Sequence, residues 1–227
     1  ELMDHLNDVN AIEWIRLHYA HPSHLHSEMI KRFKDLDKLI PYIDMPVQHG
    51  SDKILKLMRR GLKSSGIKRK IEDLRKTNDK IAIRTTLIVG SPYETDKEFN
   101  ELYDFVKEIE FDRLGVFTYS EEEGTYGAKS LQDNVPESIK NERKNQIMSL
   151  QQKINHSKNI NLINSKQKVI VDLHTQDGWS LGHTYRDTPE VDNYVRIPAK
   201  VPVGEFYNVK IKDAHEYDLI GELEYVR

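Results

Sequence analysis

Gln48 and His49 stand side by side in a short polar stretch between an apolar run and a helical one. An amide both donates and accepts, so Gln48 suits a ribose or a carboxylate, although such a loop also hydrogen-bonds its own backbone. Arg84 and Thr86 lie two residues apart in the β-branched run 82–90, and so on one face of a strand. A guanidinium there is either ion-paired within the chain or lines a pocket, where its fork suits an anion. Phe117 and Tyr119 end another apolar run and serve either the core or a cofactor. Asp187, Glu190 and Asp192 place three carboxylates beside Pro189, either as a solvated turn or as a contact for a basic partner. His18, His21, His24 and His26 invite a metal. Pro22 breaks their run and their spacing fits no single helical face, so no metal ligand is assigned.

The elements that position these residues can be read from period and punctuation. Tyr42–Met45 suits a buried strand that Pro46 ends. Ser51 is placed to N-cap a helix with Ile54, Leu55, Leu57 and Met58 on one face, and Gly61 to close it. Strand, polar loop and helix form the unit of an α/β barrel, whose chemistry sits in the loops after the strands. Residues 1–10 suggest the end of a helix, 12–19 a strand, and 23–40 and 67–76 helices. Residues 82–90 form a strand stopped by Gly-Ser-Pro. Thr95 and Glu98 make a capping box for a helix with Phe99, Leu102, Phe105 and Val106 inward, and 113–119 is the fourth strand. Strands alternating with helices predict a parallel sheet, closed or half-closed into a barrel. Pro136 opens a long polar helix to about Asn161, with Ile147, Leu150 and Ile154 on one stripe. From Lys168 five short β-rich runs, the last of them 217–225, predict a small antiparallel barrel akin to an OB-fold. The expected division is 1–135, a barrel part; 136–164, a connecting helix and linker; and 165–227, the small barrel.

The 227 residues are 31% charged, with net charge −3 and no cysteine. No membrane-length apolar run or secretory pattern is present, which reads as a soluble, cytoplasmic protein. The chain opens on Glu1 in what reads as mid-helix, the expectation being a fragment.

The stretch PVQHGSDKILKLMRRG resembles the barrel signature of the radical-SAM methylthiotransferases, which insert a sulfur and methylate it. RTTLIVGSPYET, VFTYSEEEGT and the pair YRDTPEVDNYV and AHEYDLIGEL resemble the same family in the same order, the last two its TRAM domain. The resemblance implies a partial radical-SAM barrel followed by a TRAM-like barrel. It implies S-adenosylmethionine (SAM) and two 4Fe-4S clusters in the intact enzyme. Gln48, His49, Arg84 and Thr86 would line the SAM site, Arg84 near its carboxylate, and Phe117 or Tyr119 would stack on adenine. The family holds its clusters through cysteines. This chain has none, so on its own it should be inactive. Ser91 and Tyr93 depart from the family's Gly-Phe-Pro-Gly-Glu-Thr loop, and Tyr93 in place of glycine implies a different backbone there.

FDRLGVFTYSEEEGT and EYDLIGE resemble the RimO branch, which modifies an aspartate of ribosomal small-subunit protein twelve. Charge points the same way. Residues 165–227 hold eight Lys/Arg and eleven Asp/Glu, which repels an RNA backbone and attracts a basic ribosomal protein; the expected partner is protein twelve or the small ribosomal subunit. Asp187, Glu190 and Asp192 are the expected substrate contacts. The alternatives are the tRNA-modifying branch and an RNA-binding TRAM module without catalysis.

Overall fold

The computed structural model describes residues 1–224; Tyr225, at the end of the fifth β-rich run, lies outside the described residues. The chain folds as two units, Glu1–Gln151 and Gln152–Arg227, with the boundary inside one long helix.

The first unit is built on four parallel strands, β1 (Ile15–Leu17), β2 (Leu39–Asp44), β3 (Ala82–Val89) and β4 (Arg113–Thr118). They lie in the order β1-β2-β3-β4. A sequential all-parallel order without a reversal is barrel topology rather than the doubly wound kind. With four strands it is an open arc, a partial (β/α) barrel. Helices α1 (Leu2–Asp8), α2 (Ser27–Asp35), α3 (Asp52–Leu57), α4 (Ser64–Thr77), α5 (Asp96–Ile109) and α6 (Tyr126–Ser130) precede, connect and follow the strands. The first strand is shorter and the second starts earlier than the sequence suggests, because Leu39 and Ile40 are drawn into the core.

Along β3 the two faces differ. Ile83, Thr85, Leu87 and Val89 are buried, whereas Arg84, Thr86 and Ile88 are only partly covered. Residues in parallel register point the same way. Asp44 pairs with Arg84, Thr86 with Gly115, and Ile88 with Phe117, so these six share the open face of the arc.

Two caps fix the helices beside that face. The Thr95/Glu98 capping box forms as the sequence predicts. Gly61, by contrast, does not close α3. The helix stops at Leu57, and the amides of Arg59 and Arg60 return to the carbonyls of Lys56 and Leu55, a Schellman cap. Arg59, not a glycine, takes the left-handed position at φ 56.

The helix α7 (Glu137–Ile160) begins after Pro136. The second unit is a closed barrel of β5 (Lys166–His174), β6 (Ser180–His183), β7 (Val195–Ile197), β8 (Phe206–Ala214) and β9 (Leu219–Leu223), in the order β5-β6-β7-β9-β8. All its pairings are antiparallel except β7 with β9, which are parallel. This is the closure of an OB-fold. Its core is Val169, Val171, Val195, Ile197, Val209, Ile211, Ala214 and Leu219. Among the described residues no helix is long and apolar enough to cross a membrane.

The capping box makes a prediction. Burial opposes ionisation of Glu98, but the Thr95 hydroxyl and amide and the Lys53 ammonium more than offset it, bringing its pKa down to about 2. A depressed carboxyl pKa adds stability that is complete above the unfolded value, near 4.5, and lost as pH falls toward 2. Glu98→Gln should cost about 1–2 kcal/mol at neutral pH, and its deficit should shrink as denaturation midpoints are followed down through that window. A deficit independent of pH would contradict this origin.

Candidate functional site

The loop after β2 is held from beneath. His49 and Glu94 are buried, with Nε2 of His49 3.2 Å from Oε2 of Glu94. Nδ1 of His49 accepts from the Ser51 amide at 2.9 Å, so the proton sits on Nε2 and is donated to the carboxylate. Glu94 also accepts from the Ser91 amide and from Arg143 of α7, at 3.2 and 3.0 Å. One carboxylate thus ties the loop after β2, the loop after β3 and a helix together. His49 is a brace, and its ring faces this network rather than a pocket. Gly50 is required by packing, since a Cβ there would lie 2.6 Å from Cβ of Phe105. The expected cap by the Ser51 side chain does not form; its hydroxyl donates to Glu101 at 2.5 Å.

Gln48 has a different character. Its amide bonds the carbonyl of Thr86 and its carbonyl accepts from Ile88, so the backbone extends the sheet, yet its φ is 72. Its side-chain Oε1 is shut off from solvent and has no hydrogen-bond partner. A buried acceptor left without a donor is costly and marks a place where a ligand donor would be gained.

On the open face Arg84 is paired with Asp44 at 3.3 Å and mostly covered. The ion-pair reading of Arg84 therefore holds, and it does not bar a second anion, since a guanidinium has five donors. Thr86 lies on the same face. Phe117 is 60% exposed, an unusual cost for an aromatic ring, whereas Gly115 between the two leaves room beside it. Tyr119 differs: its ring lies 5.5 Å from the Lys140 ammonium, and its carbonyl accepts from Lys140 at 3.1 Å. Burial, Glu121 and Asp133 raise the phenol pKa. Tyr119 packs, and Phe117 is the ring left open. Sequence reading passed over Arg16, 4.4 Å from the centroid of the Tyr42 ring, and weighed His18, 5.9 Å from that ring, only as a metal ligand. The alternation Arg16-Leu17-His18 was the available signal.

The loop after β3 keeps a glycine-like backbone, contrary to expectation: Tyr93 adopts φ 62. Gly90 lies at φ 71 with Cγ of Lys140 where its Cβ would be, 2.2 Å away. Lys140 is buried. Burial alone would lower its pKa, but hydrogen bonds and charges from Asp133 and Glu137 raise it.

On the small barrel two of three expected contacts are internal. Asp187 is buried and accepts from the Thr184 hydroxyl at 2.8 Å, and Asp192 accepts from the Thr188 amide at 2.8 Å. Each is an acceptor that shapes its own turn, Asp187 buried and Asp192 partly exposed. Glu190 alone is exposed, at φ 63. A cleft of about 470 Å³ lies elsewhere, between the loop after β5 (Asp177, Trp179), Arg196 of β7 and the loop after β8 (Glu216, Tyr217, Asp218). In OB-folds these are the elements that bind ligands. Among the described residues no group of three His, Asp or Glu converges on a metal position. Nδ1 of His21 instead accepts from the Ser23 amide.

The Glu94 network makes the second prediction. Glu94→Gln leaves the Arg143 guanidinium buried without its carboxylate, which should cost about 3 kcal/mol or more, read as a lowered urea midpoint. A loss below about 1 kcal/mol would show that Asp96, 2.8 Å from Arg143, suffices alone.

The chain is similar to known proteins along its length. Residues 1–106 match the Radical SAM superfamily and 163–223 the TRAM domain. The ribosomal protein uS12 methylthiotransferase RimO of Cytophaga hutchinsonii is 47% identical over 98% of this chain and 51% of its own. That of Acetivibrio thermocellus is 44% identical over 98% of this chain and 50% of its own. Among solved structures, coproporphyrinogen III oxidase (HemN) from Escherichia coli, a radical SAM enzyme, superposes with a TM-score of 0.54. It covers 92% of this chain and 50% of its own at 15% identity, a likeness of fold alone. The chain thus joins a part that matches the Radical SAM superfamily to one that matches the TRAM domain, is similar to RimO methylthiotransferases over 98% of its own length, and spans about half the length of the curated relatives it matches.

Proposed function

We propose that the intact protein is a radical-SAM methylthiotransferase that adds a methylthio group to an aspartate of ribosomal protein uS12, with the first unit holding SAM and the TRAM barrel docking the protein substrate. The similarity to RimO proteins along the whole of this chain supports the reaction. The observation that carries the site is the open sheet face, where a paired arginine, a threonine and an exposed phenylalanine lie beside an unsatisfied buried amide oxygen.

The residues present fit SAM. The Arg84 guanidinium would hold its carboxylate, with Asp44 keeping the fork in place. Oε1 of Gln48 would accept from a ribose hydroxyl or the amino group, Thr86 would supply a hydroxyl, and Phe117 would stack on adenine. His49 and Tyr119 would act from behind by fixing the loops. SAM supplies a methyl group and, when reduced by a cluster, a radical. The residues present do not fit the two 4Fe-4S clusters, because thiolate ligands are needed and the sequence has no cysteine.

For the substrate, the barrel cleft replaces the Asp187–Asp192 turn as the docking place. Trp179 and Tyr217 offer ring faces, and Asp177, Glu216 and Asp218 offer carboxylates against one arginine, Arg196, itself 3.5 Å from Asp218. Aromatic faces with carboxylates around them suit lysine and arginine side chains. Exposed Glu190 adds to the acidic field.

Two measurements test these assignments in the intact enzyme. Arg84→Ala should weaken SAM by about 1.5–3 kcal/mol, read by calorimetry; unchanged affinity with lowered stability alone would leave Arg84 a structural ion pair. Asp177→Asn combined with Glu216→Gln should slow association with uS12 and flatten its salt dependence. An unchanged association rate would remove the cleft from docking.

A further inference from the structure

From Lys53 to Ile71 the chain carries eight Lys/Arg and no Asp/Glu, in a protein of net charge −3. Some of these cations are committed. Lys53 bonds the Tyr93 carbonyl and Glu98, Arg60 the Pro46 carbonyl, and Lys68 pairs with Glu108. Lys56, Arg59 and Lys63 are exposed and in no ion pair among the described residues.

Two hollows meet at Lys56 and Arg59, and Lys63 lines one of them. One, about 600 Å³, is lined by Lys53, Leu55, Lys56, Arg59, Leu62 and Lys63, with Asp52 and Gly61 at its edge. The other, about 530 Å³, is lined by Lys53, Lys56, Leu57, Arg59, Tyr93 and Tyr126. They share Lys53, Lys56 and Arg59 and so form one groove along α3, basic on its floor and flanked by two tyrosines 41% and 43% exposed. Its acidic groups are already engaged: Asp52 accepts from the Ser64 amide and hydroxyl, and Glu98 is in the capping box. None of the glutamates 121–123 lines it.

A charge run alone is more often a solvated helix face than a site. Two further features set this one apart. Arg59 is held in the left-handed conformation at a cap where glycine would be cheaper, and its guanidinium lies 3.5 Å from the centroid of the Tyr126 ring. Tyr93 is likewise left-handed, with its ring on the groove. Two left-handed non-glycine residues therefore face one groove.

We propose that this groove binds single-stranded RNA, with phosphates on Lys56, Arg59 and Lys63 and bases stacked on Tyr93 and Tyr126. Cations that track a backbone, interleaved with aromatic faces, are what such a strand requires. The groove is formed by α3 and by the loops after β3 and β4, at the end of the arc where its chemistry is expected. This activity is additional to the proposed reaction and does not depend on it. The acidic TRAM barrel is not the RNA-binding part.

The test is fluorescence anisotropy of a labelled oligouridylate with the 227-residue chain, over a series of salt concentrations. The triple variant Lys56→Gln, Arg59→Gln, Lys63→Gln should weaken binding by about tenfold or more at low salt and reduce the salt slope by about 2. The double variant Tyr93→Gly, Tyr126→Ala should weaken it by about fivefold or more with the slope unchanged. Glycine suits the backbone of position 93, so this variant stays folded, and thermal melts verify both. No binding at low salt would overturn the proposal. So would an equal loss from the exposed triple Lys31→Gln, Lys34→Gln, Lys107→Gln, none of which lines either hollow. Equal displacement by polyglutamate, with the tyrosine variant unaffected, would overturn it in favour of an acidic protein partner.

Discussion

The loops after β2 and β3 are tied to the rest of the first unit by one buried carboxylate. Glu94 receives a histidine, a backbone amide and an arginine in a space with almost no solvent, and the three donors come from three different segments. Ionised groups in such a place are tolerated only when their partners are complete. The constraint therefore works as a specification. The loop carrying Gln48 and the loop carrying Tyr93 adopt their strained geometry because leaving it would strand a charge. Gly50 and Gly90 serve the same closure from the steric side, each giving space that a neighbouring side chain occupies.

What could be read from the sequence was what local chemistry decides. The strands at 82–89 and 113–118, the capping box at Thr95 and Glu98, and the five barrel strands follow from β-branched runs, period and turn residues. The α3 cap could not be read this way. Gly61 is the natural closing residue, but the helix ends early and Arg59 bears the left-handed position, a choice made by its surroundings rather than by propensity. Helix α7 shows the same limit. Its apolar stripe of Ile147 and Ile154 is real, yet Lys140, Arg143, Gln151, Asn155 and Asn159 are buried with it. Lys140 and Arg143 are paired with carboxylates, and the amide nitrogens of Gln151 and Asn159 donate to backbone carbonyls, that of Gln151 to Phe111 at 2.8 Å. Polar residues read as a solvated face unless their partners, distant in sequence, are known.

The site shows the same division. Alternation in β3 placed Arg84 and Thr86 on one face, and the fold brings Asp44, Gly115 and Phe117 to that face through register. That His49 and Tyr119 brace rather than face the pocket depends on Glu94 and Lys140, and no local pattern names those partners. In the turn at 187–192 a run of carboxylates looked like a charged surface, but two of the three are acceptors for the turn's own donors. Short acidic side chains near free amides are drawn inward before they can serve a partner.

Charge is also segregated along the chain in a way the total conceals. The barrel from 165 onward carries an excess of three acids, which leaves the preceding residues balanced overall, and that balance itself hides an acid-free stretch of nineteen residues from Lys53 to Ile71. Net charge governs long-range approach, but within a Debye length of about 8–10 Å the local arrangement decides what binds. The first unit carries a basic groove and the second a cleft with three carboxylates, each lined with aromatic rings, so cations and carboxylates are gathered on different elements of the chain.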